Sequence, residues 1–385
     1  MVWHGMMNQS SMRIGIDARM YGSKVTGIGT YVRHLTDALF SLQADDEFVL
    51  FMQRRDATQV EPPSGKVKIV AVNMPWYSWR EQLQMHRSIR REQCDVVHFP
   101  NFNFPLAYRG KFILTVHDLT PLEFPGPNQQ RYWWRRMAYI QALKAGFGRA
   151  AAIIAVSRHT AEEITRFYPP CDARVNIIYP GLSPAFHENL KYDTLEHTVA
   201  RYGIRQPYLM YVGVWRDHKN IPGLLDAFVW LRQRLPKLQL VLAGDQTGAD
   251  EKVKPRLQRI ASGAVVTPGF IPDHDLPALF ASASATVIPS FAEGFGLIGI
   301  ESLACGTPVA ASNTTSLPEV LGPAGRYFSP HDSRAMAEVI GDVLDPRTRQ
   351  QVLGYAPSVV ARYRWSEAAR QTLALYREIA THHAP

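Results

Sequence analysis

The chain has 385 residues, 46% hydrophobic and 20% charged, which suits two domains of roughly 150–200 residues and shows no low-complexity tract. No apolar run reaches the ~18–20 residues that span a bilayer, and Cys94, Cys171 and Cys305 are too scattered for a C-x-x-C pair, so membrane-spanning, disulfide-framed and zinc-ribbon classes are excluded. The formal charge of +8, with an isoelectric point near 9.4, suits anionic partners: nucleotide diphosphates, anionic lipid headgroups or nucleic acid.

The three scattered cysteines fit a reducing cytoplasm; the stretch Met1–Ser11 lacks the charged start and apolar core of a secretory leader, and the fold is read from Met12 onward. Arg13–Asp17 reads as a short buried strand. A loop, 22–29, precedes a helix expected from about Thr30 to Leu42. Strands follow at Phe48–Met52, Val67–Val72, Asp95–Phe99, Phe112–His117, Ala152–Val156 and Val175–Ile178. Helices are expected between them at Arg80–Arg91, Tyr132–Ala150 and Arg158–Phe167. Several strands are continuously apolar, as strands buried on both faces are, and they alternate with helices. The chain then becomes irregular: Tyr179–Phe186 is rich in Pro and Gly and His187–His197 is polar, which places a domain boundary there. A second alternation runs from the strand Tyr208–Val212 to the strand Pro308–Ala311 and ends in short helices. The expected organisation is therefore α/β, with a doubly wound domain over 12–186 and another over 187–364. A last helix within 365–385 is long enough to cross back to the first domain. Two such sheets predict a cleft faced by the C-terminal ends of their strands.

Four pieces of sequence carry candidate chemistry. The first is Ser290–Ser312, S-F-A-E-G-F-G-L-I-G-I-E-S-L-A-C-G-T-P-V-A-A-S. Glu293 lies on the loop after a strand, and Gly294 and Gly296 bracket Phe295. A helix follows, and Glu301 lies within it. A helix start after a glycine loop offers unpaired N–H groups to phosphate or sugar oxygens. Eight helical residues rise about 12 Å, so the two carboxylates are placed to read two parts of an extended ligand rather than one atom. The second is Tyr211–Asn220, Y-V-G-V-W-R-D-H-K-N, whose Arg216, His218 and Lys219 crown a strand end where a diphosphate leaving group would be stabilised. The third is Thr115–Pro125, which sets His117 and Asp118 at the end of a buried strand facing the same cleft. The fourth is T-G-I-G at Thr26–Gly29, a flexible turn that can approach a phosphate closely but lacks the third glycine of a dinucleotide fingerprint. For each piece the bland alternative stays open: a dipole-favouring glutamate, basic residues on a solvated turn, or a histidine packed at a strand end.

On these residues the chain resembles family 4 of the retaining glycosyltransferases, with the GT-B fold of two Rossmann-like domains, from about Met12 to the C-terminus. The specific part is E-G-F-G-L-I-G-I-E followed by C-G-T-P-V, which matches the family's E-x₇-E signature in full. The segment G-F-I-P-D-H-D-L-P-A-L-F and the H-D-L…P run match as well. The resemblance implies that Glu293 contacts the donor sugar, helped by the backbone of Gly294, Phe295, Gly296 and Leu297, while Glu301 holds the ribose. It implies that Lys219 binds the diphosphate, that His117 stands at the reacting face, and that Gly27 and Gly29 meet the donor phosphates. The family's arginine position is Val214 here, with Arg216 two residues on. The resemblance further implies transfer without a protein nucleophile, a cofactor or a metal. It also implies a nucleotide diphosphate-sugar donor, with GDP-mannose the expectation by analogy with bacterial mannosyltransferases of polysaccharide biosynthesis. The triplet Asp273-His274-Asp275 is read as helix capping rather than a cation site.

The first domain is expected to choose the acceptor, a saccharide or a lipid-linked saccharide. Its segment Arg131–Arg149 holds Arg131, Arg135, Arg136, Lys144 and Arg149 beside Tyr132, Trp133 and Trp134 with no acid, which suits contact with the inner face of an anionic membrane or a helix whose tryptophans pack inside. Two other classes remain: a sugar-nucleotide epimerase of the same architecture, and a nucleic-acid-binding protein, for which only the charge speaks and no motif does.

Overall fold

The computed structural model describes residues 11–21, 27–58, 60–61, 65–74, 78–126, 132–187, 192–246 and 252–381. Two all-parallel sheets carry the architecture. The first is ordered β3(Val67–Val72), β2(Glu47–Gln53), β1(Arg13–Asp17), β4(Val96–Phe99), β5(Phe112–Val116), β6(Ala152–Ala155), β7(Val175–Ile177). The second is ordered β10(Val265–Gly269), β9(Gln239–Ala243), β8(Tyr208–Val212), β11(Ala285–Ile288), β12(Val309–Ser312), β13(Gly325–Phe328). In each sheet the winding reverses beside the first strand, between β1 and β4 and between β8 and β11. At such a point adjacent connections leave to opposite faces and open a crevice at the strand ends.

Ile14 and Ile16 on β1 and Leu209 and Met210 on β8 are fully buried, as the continuous apolar runs require of strands covered on both faces. The helices start where side chains supply caps. Ser78 accepts from Glu81 N, and Ser157 accepts from Thr160 N. The last helix, Trp365–Thr381, lies on the N-terminal domain: Tyr376 OH is 2.6 Å from His98 Nδ1, Arg377 pairs with Asp46 at 2.8 Å, and Lys111 donates to the carbonyl of Ala380. Gly181 makes this possible, because a Cβ there would lie 2.1 Å from Trp365 N.

Several expectations need correction. The first helix begins at Gly27 and not near Thr30, so Gly27 and Gly29 form its first turn, while Thr26 and the loop 22–26 lie outside the described residues. The long basic helix begins at Trp133, with Arg131 outside the described residues. The polar stretch read as irregular contains a helix, Tyr192–Arg201. β13 has a short sequence with no alternation to announce it and is ordered by pairing with β12 from Val309↔Gly325 to Ser312↔Phe328. Asp275 sits at a helix N-cap position, yet its carboxylate makes no capping bond. It is taken instead by Tyr202 OH at 2.6 Å and Arg201, while Asp273 pairs with Arg33 of the first domain. Charge partners across the chain outcompete the local N–H groups for these two acids.

Candidate active site

The two reversal points bring the sequence-predicted residues together. After β8 the chain makes a single turn of 3₁₀ helix, Asp217–Lys219, and Asn220 adopts a left-handed conformation at φ 51°. Asn220 is buried and clamps three segments: Oδ1 accepts from Gly223 N, and Nδ2 donates to the carbonyls of Pro289 and Pro330. The end of β11 is thereby fixed against the β8 loop, and Phe291 N donates to His218 O at 2.7 Å. Lys219 Nζ then lies 2.7 and 2.9 Å from the two carboxylate oxygens of Glu293. Ser290 Oγ donates to Oε1 at 2.6 Å, Thr315 Oγ1 accepts from Glu293 N, and Ser316 Oγ donates to its carbonyl. Burial works against the Glu293 charge, but Lys219 and Ser290 outweigh it and hold the carboxyl below the ordinary glutamate range. Burial, then the Lys219 charge, push His218 down to about 4, so it is neutral at pH 7. An ammonium has three N–H groups, and Glu293 occupies two directions of Lys219, leaving one for a ligand.

Glycines set how closely the two domains approach. At Gly294 an added Cβ would lie 1.9 Å from the carbonyl oxygen of His117, and the Gly294 carbonyl accepts from Ser157 Oγ at 2.8 Å. Nearby, Glu319 of the C-terminal domain accepts from Arg158 N, His159 N and Tyr179 OH. Gly296 is left-handed, at φ 91°, and a Cβ there would meet Leu317 Cδ2 at 2.6 Å. Phe295 is buried, and Leu297, the first residue of the helix Leu297–Ala304, packs against the core. That helix has no side-chain cap, so its first N–H groups lack the usual local partner.

His117 ends β5. Its Nε2 lies 2.9 Å from the carbonyl of Pro100, which can only accept, so Nε2 carries the proton and Nδ1 is the lone-pair side. Burial, only partly opposed by Pro100 and Asp118, lowers its pKa and favours the neutral ring. The carboxyl of Glu301, a partly buried residue, has no hydrogen bond or ion pair among the described residues. Burial, then the charge of Asp273, push its carboxyl up to about 8. The two glutamates thus have different surroundings, Lys219 for one and Asp273 for the other. Arg216 is exposed and close enough to act on the His218 charge, while Val214 is partly buried. Gly27 is exposed and Gly29 buried in the first turn of their helix. Sequence reasoning missed Asn220, Ser290, Thr315, Ser316 and Glu319. Asn220, before Ile221-Pro222, had the signal of an N-cap ahead of an early proline. The others act from separate loops and carry no local pattern.

Residues 25–186 match the family described as "Glycosyltransferase Family 4", and residues 199–358 match "Glycosyl transferases group 1". The chain is a family 4 glycosyltransferase. It is 28% identical over 375 residues to O-antigen chain mannosyltransferase B of Escherichia coli, covering 92% of this chain and 96% of that one. Among solved structures it is similar to sucrose-phosphate synthase from Thermosynechococcus elongatus, with TM-score 0.73, 21% identity and coverage of 96% and 99%. It is also similar to Anabaena HepE in complex with UDP-glucose, with TM-score 0.74, 16% identity and coverage of 94% and 100%. These likenesses give the fold: this glycosyltransferase has the GT-B arrangement of two doubly wound domains.

Proposed function

We propose that this glycosyltransferase moves a hexose, mannose from GDP-mannose in the first instance, to a saccharide or lipid-linked acceptor in cell-surface polysaccharide assembly, with retention of anomeric configuration. The observation that carries the reading is the Lys219–Glu293 pair at the β8/β11 reversal, met across the gap by His117 through Gly294. The free direction of Lys219, helped by Arg216, takes the diphosphate. Glu293, ionised, accepts from donor-sugar hydroxyls, and the N–H groups at Gly294–Leu297 support sugar and phosphate oxygens. Glu301 accepts from the ribose diol. His117, with Nε2–H tied to Pro100, offers Nδ1 to a sugar hydroxyl and leaves its carbonyl to the Gly294 contact. Gly27 and Gly29 bring helix N–H groups to the phosphates from the first domain.

In the reaction the anomeric carbon–phosphate oxygen bond breaks and the bond to the acceptor oxygen forms on the same face. The acceptor's proton passes to the departing phosphate oxygen, which leaves as the nucleoside diphosphate. Glu293 is held by Lys219 and Ser290 and so is not free to act as a nucleophile. Fixed cations and N–H groups supply the charge stabilisation that a metal would otherwise provide, so excess chelator is expected to leave transfer unchanged. The product anomer, read by NMR, tests retention; an inverted product would contradict it.

We further propose that the enzyme works at the cytoplasmic face of a membrane. Trp133 and Trp134 are 76% and 53% exposed, so they do not pack inside as an ordinary helix would have them do, and Met137 is exposed beside them. Arg135 lies 5.1 Å from the rings of Tyr132 and Trp134, and the helix Trp133–Arg149 has no acid. Among the described residues no helix is long and apolar enough to cross a membrane. Wild type should sediment with phosphatidylglycerol vesicles in low salt, and a Trp133→Ala/Trp134→Ala double variant should stay in the supernatant. Equal sedimentation of the two would refute this contact.

A further inference from the structure

The chain passes between the domains near Tyr179–Leu182 and again near Tyr363–Trp365, and the two crossings lie side by side. Leu182 N donates to the carbonyl of Tyr363 at 3.0 Å, and the rings of Tyr179 and Tyr363 meet edge to face at 5.8 Å. With the Gly181–Trp365 contact they form a single pivot. A single pivot fixes where two rigid sheets meet but not their rotation about it, so their setting rests on side chains that span the gap. His117 is fixed within the first domain, with Nε2 tied to Pro100 and its ring edge to face with Tyr31 at 4.8 Å. Its distance from the Glu293 loop therefore depends on that setting.

Glu319 spans the gap beside the pivot. It lies in the short helix Leu317–Leu321 of the second domain, and its carboxylate reaches the N-terminus of the helix Arg158–Phe167 in the first. Oε1 accepts from Arg158 N and from Tyr179 OH, each at 2.8 Å, and Oε2 accepts from His159 N at 3.1 Å. The first N–H groups of a helix have no partner within it and favour a negative charge. Here the cap is divided between domains: Ser157, the local cap, takes Thr160 N, and Glu319 takes the two N–H groups before it. A local cap stabilises its helix whatever the domains do, whereas a cap supplied across the gap is complete in one setting only.

Both capping residues also bear on the donor loop. Ser157 Oγ donates to the Gly294 carbonyl at 2.8 Å. Just before Glu319, Thr315 and Ser316 hold the backbone of Glu293, and Leu317 packs where Gly296 lacks a side chain. The segment Thr315–Glu319 is thus one brace. Its start fixes the carboxylate paired with Lys219, and its end grips the domain that carries His117. Tyr363 OH donates to the carbonyl of Val320 at 2.9 Å and ties the brace to the pivot. Lys219, Glu293 and Glu301 all belong to the second domain, so Glu319 is not needed to bring them together.

We propose that Glu319 is a positioning residue for glycosyl transfer: by capping the helix Arg158–Phe167 from the opposite domain, it locks the pivot in the setting that puts His117 against the Gly294 loop. This rests on the glycosyl-transfer reading above and adds to it a residue that acts on turnover rather than on the hold of the nucleotide.

The test uses the intact enzyme, with GDP and UDP as binding probes and the matching GDP-mannose and UDP-glucose as donors to methyl α-mannoside. Glu319→Gln keeps the shape of the side chain, but its amide offers one acceptor oxygen and turns N–H groups toward a backbone N–H. Its kcat should fall at least about tenfold, as misplacement of the reacting groups implies, while the dissociation constant for nucleoside diphosphate changes by less than about threefold. Arg158→Pro approaches the same contact from the first domain. It deletes one N–H that Glu319 accepts, at a first helical position that proline suits, and Ser157, extended at φ −150° and ψ 164°, suits the residue before a proline. Its kcat should fall at least about threefold with the same unchanged nucleotide affinity. In the double variant the loss should be smaller than the product of the two single losses, because both act on one contact. A Glu319→Gln enzyme with wild-type kcat, a nucleotide affinity that weakens as much as kcat falls, or fully multiplicative losses would overturn the proposal. Should Glu319→Gln fail to fold, Arg158→Pro decides alone by the same kcat and affinity readouts. Wild type that binds neither nucleoside diphosphate would count instead against the glycosyl-transfer reading itself.

Discussion

Among the described residues the Glu301 carboxyl has no hydrogen-bond or ion-pair partner, and it is pushed up to about 8 by burial and by Asp273. The direction of its effect follows from linkage. Between the ordinary glutamate range and pH 8 the folded state holds a proton that the unfolded state has lost, so stability from this group is present at low pH and falls as pH rises through that window. Glu301→Gln removes the penalty and should stabilise the protein at pH 8 by on the order of 2–4 kcal/mol, read as a raised Tm, with little effect near pH 4. The same substitution should weaken donor binding, since an amide accepts from only one of two ribose hydroxyls. Donor affinity of the wild type should rise from pH 6 to pH 9 with release of a proton, measurable by calorimetry in buffers of different ionisation heat. A flat profile would show that Glu301 does not hold the ligand. The sequence made both glutamates visible by their spacing but could not reveal that one is satisfied by Lys219 and Ser290 while the other is not. That difference depends on side chains more than seventy residues away, at Lys219, and on Asp273 across the loop.

At the scale of elements, the loop Ser290–Gly296 is the part that joins the two halves of the reaction. Its strand β11 and its helix were legible from apolar runs and glycine punctuation, and so were most strands of both sheets. What the local pattern could not disclose was the reason for Gly294, which lies in the backbone of His117 on the other domain. Gly294→Ala must separate the domains or break the Ser157 contact, because the His117 carbonyl that the new Cβ would meet is backbone and cannot rotate away. The variant should fold, with each sheet intact by circular dichroism, but kcat should fall by about 100-fold or more, as displacement of the reacting groups by an ångström implies. Activity near wild type would mean that this close approach is not needed for turnover. The helix Tyr192–Arg201 and strand β13 escaped the sequence for a different reason: they are short and polar or mixed, and they are ordered by packing and pairing rather than by their own periodicity.

Across the whole molecule, buried neutral histidines tie the parts together. His98 joins β4 to Tyr376 of the last helix and to Thr115 of β5 at 2.6 and 2.7 Å, and burial lowers it to about 3. Burial likewise lowers His34, which stacks on Trp365, to about 4. For each, the unfolded state takes up a proton below its ordinary value near 6.5 while the folded state does not, so stability is complete above that value and is lost as pH falls toward 4. Thermal unfolding should therefore show a Tm that drops steadily from pH 6.5 to pH 4, and His98→Gln should flatten that slope while lowering Tm at pH 7 through lost hydrogen bonds. An unchanged slope in the variant would remove His98 from the account. The two-domain plan was readable from composition and alternation, whereas these long-range ties, His98 to Tyr376 and Glu319 to the Arg158 turn, are set by tertiary packing and leave no periodic trace.

The central claim is that Lys219, paired with Glu293 at the reversal of the C-terminal sheet, holds the diphosphate of a nucleotide sugar. It is tested most directly by titration calorimetry of a panel of nucleoside diphosphates and their sugars, GDP and GDP-mannose first, into wild type and Lys219→Ala. The account predicts saturable binding to wild type and at least about a hundredfold weaker binding to the variant, the loss of a charge-assisted bond to phosphate. Equal dissociation constants for the two proteins, with the variant folded, would contradict it.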